Sequence, residues 1–390
     1  MLKHIFIALL LLPAASCHVS AQSLDDALQA VSRNNLRLKT LEADAGATVL
    51  DRKAENTVEG LSVEYSPFYD NGKTGVASSE LIVSQTFDFP TVYRQRRELR
   101  GRETTVLRQQ WEAARRDVLL ETRLLGLDLI RANQLIDMHR QRLAQCDTTL
   151  LLLERRLSAG DATALEVNKG RLTRMTVQQQ LAEAEGERIS LLAQLTSLNG
   201  GEPLDITDRD FPQYLLESDY DTFAEAILRA NADIRVAEAA LQVADYGVSM
   251  SRRSWLPQLS VGYRRNTDGG NRLNGFLVGA AFPLYSTASK VRAARAREAA
   301  ARLEVEAVRQ EASDELRGQY NELLRLHSVL DHTDTALLQE TLVLLRRALQ
   351  YGQITALDYY IEAADIYDKL LAHVDLHHRY VRLYAEAHKE

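Results

Sequence analysis

The sequence is poor in cysteine and proline, and each shortage excludes a class of protein or favours a structure. The 390 residues contain two cysteines, Cys17 and Cys146. Two are too few for a disulfide framework or for a metal site of the Cys-x-x-Cys kind. The seven prolines leave residues 91–202 and 284–390 free of proline. Because an internal proline costs a helix about 3 kcal/mol, these two spans can form very long helices.

Basic charge and long apolar runs are also scarce. The chain has 47 basic and 54 acidic residues, and its net charge of −7 lacks the overall basic character of a nucleic-acid-binding protein. The mean hydropathy is −0.26. Beyond the N-terminal segment, no apolar run approaches the roughly 20 residues that a membrane-spanning helix needs. The sequence therefore excludes a multi-span helical membrane protein.

Residues 1–21 have the pattern of a secretory signal peptide. A short basic start precedes an apolar segment, residues 5–12, and small residues follow it. The segment Val19-Ser20-Ala21 fits cleavage after Ala21, which predicts that the protein leaves the cytoplasm. The alternative is a lipobox, Ala14-Ala15-Ser16-Cys17, with Cys17 as a lipidated N-terminus.

Apolar residues recur every seven positions through both proline-free spans. The two longest series are Leu129, Ile136, Leu143, Leu150 and Leu157, and Leu316, Leu323, Leu330, Leu337 and Leu344. Sustained seven-residue spacing predicts helices that supercoil against partner helices. A helix from about Thr91 to Leu157 would be roughly 100 Å long at 1.5 Å per residue.

The two halves of the chain carry the same motifs in the same order. The matching segments are residues 61–65 with 259–263, 89–90 with 282–283, and 160–166 with 352–358. Three matches in one order indicate a duplicated unit of helix, strand, loop, strand, very long helix, turn and long helix. The predicted repeats are residues 22–199 and 221–390, joined by a linker at 200–220.

Each repeat is predicted to contain two short strands. They lie at about residues 60–67 and 80–89 in the first repeat and 256–265 and 274–284 in the second, with polar loops at 70–79 and 266–274. Apolar and polar residues alternate along them, as in transmembrane barrel strands.

The number of strands bears on the assembly. Four strands cannot close a barrel, and an open edge cannot lie in lipid. Three copies of the chain would supply twelve strands, an even number that such barrels adopt. The alternative is two hairpins that cap a helical bundle in solution.

This ordered set of motifs resembles the TolC-like outer-membrane efflux factor family over nearly the whole mature chain. Two supporting segments flank the strands of the second repeat, Leu256-Pro257-Gln258-Leu259-Ser260 and Phe282-Pro283-Leu284-Tyr285. The other two are the glycine turns, Leu157-Ser158-Ala159-Gly160 and Leu349-Gln350-Tyr351-Gly352. The resemblance implies a mainly α fold with a small β part, in which long coiled-coil helices form an α-barrel tunnel. It also implies a homotrimer whose four strands per chain build a twelve-stranded barrel in the outer membrane.

The resemblance further implies a function and partners. The function is the exit duct of a tripartite efflux or type I secretion system for small molecules, drugs or metal ions. The partners are a periplasmic adaptor, an inner-membrane pump of the RND or ABC type and outer-membrane lipid, with no nucleic acid. The resemblance places the glycine turns at the periplasmic tip of the tunnel, where the adaptor docks. The docking candidates are Ala159, Gly160, Tyr351 and Gly352.

Acidic residues after the glycine turns match positions where the family narrows its pore. These candidates are Glu166 and Asp358, each six residues beyond its glycine. The family's second gate aspartate falls at Ile361, and Glu362 one residue later is the third candidate. A ring of three identical carboxylates would attract cations and repel anions. The alternative is a surface carboxylate placed near a helix N-terminus by the helix dipole.

Catalytic and cofactor motifs are missing from the sequence. It has no Gly-rich phosphate loop, no Gly-x-Ser-x-Gly elbow and no His-Glu-x-x-His pair, so neither an enzyme nor a cofactor is predicted. His373 and His377, four residues apart, are weak candidates for a Zn²⁺ or Cu²⁺ site, and exposed histidines on a terminal helix are the alternative. A soluble periplasmic coiled-coil scaffold and a metal-binding protein are the other functions left open.

Overall fold

The computed structural model describes residues 23–72, 74–268, 270–283 and 287–389. The predicted signal peptide, the lipidation candidate Cys17 and the Leu284-Tyr285 part of the motif after the fourth strand lie outside these residues. The described chain is mainly helical and contains a four-stranded antiparallel sheet. The predicted mainly α fold with a small β part is therefore confirmed. Within the described residues, no helix combines the length and the apolar character needed to cross a membrane.

Each half runs from two helices through two strands to long helices. The first half contains α1 Leu24–Asn34, α2 Leu36–Ala54, β1 Ser62–Tyr69, β2 Val76–Asp88, α3 Pro90–Ala159 and α4 Ala164–Leu198. The second contains α5 Tyr220–Ala230, α6 Ala232–Arg252, β3 Gln258–Asp268, β4 Asn271–Ala281, α7 Thr287–Asp331, α8 Thr335–Gln350 and α9 Ala356–Ala387.

A single asparagine interrupts the first helix of each half. The sequence predicted one helix before each strand pair, but α1 ends before Asn35 and α5 ends before Asn231. The two asparagines have nearly the same backbone, with φ −57° and ψ 122° at Asn35 and φ −56° and ψ 124° at Asn231. The Asn231 side chain accepts hydrogen bonds from the backbone of Asp233 and Ile234 and so starts α6. The two breaks thus occupy corresponding positions, each before the helix that leads into a strand pair.

The long helices differ between the halves. Helix α3 runs without interruption over 70 residues, as the absence of proline and the seven-residue spacing predict. The expected counterpart in the second half is divided into α7 and α8 by residues 332–334. Asp334 begins α8 because its Oδ1 accepts a hydrogen bond from the Leu337 amide at 2.9 Å. An N-cap of this kind starts a new helix without any proline.

The four strands form an antiparallel meander in the order β1-β2-β3-β4. Strands β2 and β3 join the two halves, with Val83 opposite Tyr263. The strands extend into the segments that were expected to be loops, since β3 continues to Asp268 and β4 begins at Asn271. A ladder of backbone hydrogen bonds does not require apolar side chains, so polar residues near the turn pair like the others.

Two compact units divide the chain, and each takes segments from both predicted repeats. The first, called the tip unit, comprises the residues up to Asn35, Glu121–Gln213 and Leu330–Arg382. The second, called the sheet unit, comprises Leu36–Leu120, Tyr214–Val329 and the residues from Leu383 onward. Packing therefore combines the halves, whereas the repeat boundaries describe only the order along the chain.

Residues 200–213 of the segment predicted as a linker pack within the tip unit. Ile206 and Phe211 are buried there. Asn133 of α3 donates hydrogen bonds to the carbonyl oxygens of Ile206 and Asp208, both at 3.1 Å. The segment lacks helix and extended strand up to Asp219, but its backbone is held by side chains of the helices.

Candidate functional site

Both glycine turns lie in the tip unit, and each ends a helix in the same way. The Gly160 backbone has φ +83°, its N–H donates to Leu157 O at 3.1 Å, and the Asp161 N–H donates to Arg156 O at 2.8 Å. This pair of bonds is a Schellman motif, in which a left-handed residue satisfies the last carbonyl groups of a helix. Glycine is favoured here because a Cβ atom opposes positive φ.

The second turn repeats this geometry at the end of α8. Gly352 has φ +70°, and its N–H donates to Leu349 O at 3.1 Å. The Gln353 N–H donates to Ala348 O at 2.8 Å. The reversals at 160 and 352 are thus matching backbone structures, as the repeated sequence predicted.

Arg156 joins the two turns. Its Nη2 donates to the carbonyl oxygens of Leu349 at 3.0 Å and Gln350 at 3.1 Å. A guanidinium at the C-terminus of a helix satisfies free carbonyl groups and stabilises the negative end of the helix dipole. Arg156 was not predicted from the sequence, because its bond to Leu349 spans 193 positions and no local motif indicates it.

The acidic residue after each turn caps the next helix. Thr163 is the N-cap of α4, and Glu166 Oε2 accepts from the Thr163 N–H at 2.7 Å and hydroxyl at 2.9 Å. In the second turn the Thr355 hydroxyl donates to Asp358 Oδ2 at 2.6 Å, and the Asp358 N–H donates to the same hydroxyl oxygen at 3.1 Å. Both carboxylates therefore bond the N-cap threonine of the helix that follows.

Glu166 is the more engaged of the two carboxylates. Hydrogen bonds from the Thr163 backbone and hydroxyl hold the pKa of Glu166 below its usual value, against the opposing effect of burial. The backbone of Ala356 and the charge of Arg156 lower that pKa further. Glu166 is thus an ionised carboxylate between the two turns.

Asp358 and Glu362 lie on an exposed stripe of α9. The stripe consists of Asp358, Glu362 and Asp365, which occupy one helix face at positions i, i+4 and i+7. Asp365 contacts Lys369. Asp365 was not among the predicted pore residues, although it lies seven residues after Asp358. The structure brings the two predicted carboxylates onto one accessible surface.

Exposed apolar side chains accompany the turns. Leu165 is 76% exposed and Tyr351 is 79% exposed, and Leu357 and Ile361 of α9 are also exposed. Ala159, Gly160 and Gly352 are accessible as well. Among the docking candidates, Tyr351 is therefore the large apolar group that a partner can contact.

A buried layer of tyrosines lies beneath these surfaces in the tip unit. Tyr359, Tyr360 and Tyr367 belong to one apolar cluster with Leu153 and Val167. Burial raises the pKa of Tyr367 to about 12 and raises the pKa of Tyr360 further. These hydroxyls are neutral at physiological pH, and they act as packing groups.

Tyr360 makes a close approach to Gly170 of α4. A Cβ atom added at Gly170 would lie 2.6 Å from the Tyr360 hydroxyl oxygen. Cys146 is buried near the same tyrosines, and burial raises the pKa of its thiol. The glycine thus fits a tight contact between α4 and α9, where any side chain must displace the tyrosine ring.

The histidines of α9 are half-buried, which corrects the expectation of exposed side chains. The His377 ring lies 4.9 Å from the Phe211 ring and 6.3 Å from the His373 ring, measured between centroids. Burial lowers the pKa of both histidines. In the described part of the chain, no group of three or more His, Cys, Asp or Glu residues is arranged to hold a metal ion. The weak metal assignment to His373 and His377 stays a prediction.

One family profile matches part of the sequence. The sequence profile of the outer membrane efflux protein family matches residues 224–385. This span contains β3, β4, α7, α8 and nearly all of α9, and hence the second glycine turn with Asp358 and Glu362. No curated protein sequence matches the chain.

Solved structures share the fold over nearly the whole length. CusC, with 16% sequence identity, superposes at a TM-score of 0.77 over 94% of this chain and 91% of its own. The outer membrane protein VceC of Vibrio cholerae is 17% identical and superposes at 0.72 over 94% of each chain. The open-state MtrE outer membrane channel of Neisseria gonorrhoeae is 15% identical and superposes at 0.75 over 94% of this chain and 88% of that one.

The profile match and the structural matches agree with the ordered motifs in the sequence. The match to the profile covers the second half, and the fold extends the likeness to the first. The chain therefore carries an outer membrane efflux protein domain on the fold of these outer-membrane channels, and the predicted resemblance to the TolC-like outer-membrane efflux factor family is confirmed.

Proposed function

We propose that the protein is the outer-membrane exit duct of a tripartite efflux system, which carries small molecules, drugs or metal ions from an inner-membrane pump to the exterior. The match of residues 224–385 to the outer membrane efflux protein family carries this proposal. The shared fold supports it over the first half of the chain as well. The family consists of channel proteins, so the proposal assigns no catalytic step.

The proposed channel is a homotrimer, and the open edges of the sheet support this assembly. In the described chain, β1 and β4 are the edge strands, and each is paired on one side only. Open edges do not persist in lipid, so neighbouring copies must supply the missing partners. Three copies give a closed barrel of twelve strands. Phe276 is 93% exposed and Val278 is 82% exposed, as lipid-facing side chains would be in one isolated chain.

Adaptor docking is proposed at the two glycine turns. The turns present Tyr351 and Leu165 on rigid backbones, and Arg156 holds the ends of α3 and α8 together. Exposed apolar side chains on a fixed scaffold suit a protein partner, because little conformational freedom is lost on binding. The partners proposed are a periplasmic adaptor and, through it, an inner-membrane pump.

The pore constriction is proposed at Asp358 and Glu362. Their exposed positions on α9 allow three copies to form rings of carboxylates around a shared axis, which would favour cations. Glu166 is the weaker choice, because its carboxylate accepts two hydrogen bonds from Thr163, whereas that of Asp358 accepts one from the Thr355 hydroxyl. Export depends on the predicted signal peptide, and the mass of the mature N-terminus would distinguish cleavage after Ala21 from lipidation at Cys17.

One experiment separates this function from a soluble scaffold or a periplasmic metal-binding protein. The protein is expressed with its own N-terminus, and outer membranes are extracted with detergent. A trimer that gives stepwise conductance in planar bilayers is the expected result. Recovery as a soluble periplasmic monomer or dimer, with no conductance, would contradict the channel. Calorimetry with Zn²⁺ on the wild type and on His373→Ala/His377→Ala tests the metal-binding alternative.

A further inference from the structure

The sheet separates its charges by face. Opposite residues of paired strands share a face, so the registers assign every strand residue to one side. All acidic strand residues fall on one side, namely Glu64, Glu80, Asp88 and Asp268. Arg264 lies on this acidic face as well and forms an ion pair with Glu80.

The opposite face is apolar along most of its length and carries two arginines. Its members include Val63, Leu81, Val83, Val261, Phe276 and Val278. Arg265 and Arg272 lie on this apolar face, and no acidic strand residue shares it. In the part of the chain that the structure describes, neither Arg265 nor Arg272 forms an ion pair, whereas Arg264 on the other face does.

The two arginines are neighbours. Arg265 is opposite Asn274, and Arg272 is opposite Thr267, so the arginines are diagonal partners across β3 and β4. Diagonal positions are about 7–8 Å apart. Two guanidinium groups at that spacing, without a carboxylate between them, form a compact basic patch, called here the arginine pair.

The arginine pair lies at one end of the hairpin. Strand β3 ends at Asp268 and β4 begins at Asn271, so both arginines are close to the turn and far from α6 and α7, which connect at the other end. If the helices extend into the periplasm, as the proposed function requires, the turn faces the exterior. The arginine pair is then at the outer edge of the lipid-facing surface.

We propose that Arg265 and Arg272 bind the phosphate groups of an outer-leaflet lipid, an inference that rests on the proposed function. A guanidinium binds phosphate through two parallel hydrogen bonds. Lipid phosphates occupy the boundary between hydrocarbon and water, which is the depth at which an apolar band gives way to these arginines. The anion missing from this face of the protein is supplied by the lipid.

A tyrosine next to the pair supports the same depth. Tyr263 lies on the apolar face, two residues before Arg265, and its hydroxyl donates to Asn274 Oδ1 at 2.6 Å. Tyrosines of barrel strands collect at the membrane–water interface, where the ring is in lipid and the hydroxyl is in a polar layer. Tyr263 thus marks the level of the sheet at which the apolar face gives way to Asn274 and the arginine pair.

The test compares arginines on the two faces of one strand. Detergent-purified trimers of wild type, Arg265→Gln, Arg272→Gln, the double variant and Arg264→Gln are titrated with a fluorescent bis-phosphorylated lipid A. Each single variant loses one charge, so Arg264→Gln is the matched control. The dissociation constant of the double variant should rise roughly thirtyfold, because each basic group near a lipid surface increases the affinity about fivefold and two such groups are lost. Arg264→Gln should bind like wild type.

Three results would overturn the inference. The double variant binding like wild type excludes the arginine pair. Equal binding of dephosphorylated lipid A shows that acyl chains, and not phosphate, are recognised. Displacement of the lipid by millimolar inorganic phosphate at constant ionic strength identifies a site for the free anion instead of a lipid.

Conductance measurements distinguish failure of the lipid-binding inference from failure of the proposed function. Each trimer is also placed in planar bilayers. Wild-type protein that conducts without preferring phosphorylated lipid contradicts the lipid site alone. Protein that forms neither a trimer nor a channel contradicts the proposed function, and the lipid site is overturned with it.

Discussion

Arg156, four residues before the first glycine turn, donates a hydrogen bond to the carbonyl oxygen of Leu349, three residues before the second. The same nitrogen also donates to Gln350 O. The C-termini of α3 and α8 are therefore tied by one guanidinium group. A movement of one turn must either carry the other turn with it or break these two bonds.

Replacing Arg156 by alanine should loosen the second turn. Two charge-assisted hydrogen bonds to the end of α8 are lost, and each such bond contributes up to about 3 kcal/mol of stability. Hydrogen exchange of the Gly352 and Gln353 amides should become faster, as measured by mass spectrometry. Arg155→Ala, which removes an exposed guanidinium one position earlier, is the matched control. Equal protection of these two amides in Arg156→Ala and Arg155→Ala would contradict a link between the two turns through Arg156.

Gly352→Val should leave the trimer intact and abolish efflux. The φ of +70° at Gly352 disfavours any side chain by roughly 1–2 kcal/mol, so the turn shifts while the buried core keeps its packing. Drug and metal resistance of complemented cells, together with the trimer yield, measures both effects. Gly186→Ala is the control, because Gly186 lies within α4 with open space around it. Normal resistance in Gly352→Val would contradict docking at this turn.

Asp358→Asn should lower cation selectivity and raise resistance to block by multivalent cations. The substitution removes three charges from a trimeric ring and keeps the size of the side chain. Reversal potentials in a salt gradient and single-channel currents provide the measurement. Asp365→Asn, on the same stripe but beside Lys369, is the comparison. Identical currents in Asp358→Asn and wild type would mean that this residue does not line the pore.

Glu166 should make part of the stability of α4 dependent on pH. Its folded pKa is depressed from a usual value near 4.5, so its stabilising effect is present above that value. The effect is lost as the pH falls through the lower folded pKa. Glu166→Gln keeps the capping geometry and should remove this acid dependence, whereas Glu166→Ala loses the carboxylate half of the capping box at every pH and keeps the Thr163 half. Thermal unfolding between pH 7 and about pH 3 compares the three proteins.

Gly170→Ala should destabilise the tip unit through Tyr360. The added Cβ lies 2.6 Å from the hydroxyl oxygen, so the ring must move, and overpacking of this kind costs about 1–3 kcal/mol. In a Tyr360→Phe background the nearest remaining ring atom is 3.5 Å from that Cβ, and the cost should fall sharply. A double-mutant cycle on unfolding free energies gives the coupling. Additive effects would show that the two residues do not interfere.

Local features of the fold could be predicted from the sequence. The turns at Gly160 and Gly352 follow from glycine beside repeated motifs, whereas the threonine caps were not predicted, although threonine with an acidic residue three positions later is a local signal. The strands follow from alternation of apolar and polar residues. Each of these signals is contained in fewer than about ten residues, which is the range over which a sequence pattern acts on its own backbone.

Features that depend on distant partners could not be predicted. The bond of Arg156 to Leu349, the burial of His377 against Phe211 and the Gly170–Tyr360 contact all join segments far apart in the chain. The break at residues 332–334 was missed for a different reason. The leucine spacing continues across it, and a single N-cap aspartate is a weak signal beside that periodicity.

The unequal hairpin connections determine where the protein tolerates added sequence. Residues 70–75 separate β1 from β2, whereas only residues 269–270 separate β3 from β4. An insertion is accepted where backbone pairing is not interrupted. A peptide tag placed within 70–75 would be displayed three times at the mouth of a trimeric channel and would report its orientation by surface labelling of intact cells. The same tag at 269–270 would have to leave the sheet through a two-residue turn, directly beside the pairing of Asp268 with Asn271 that closes the hairpin.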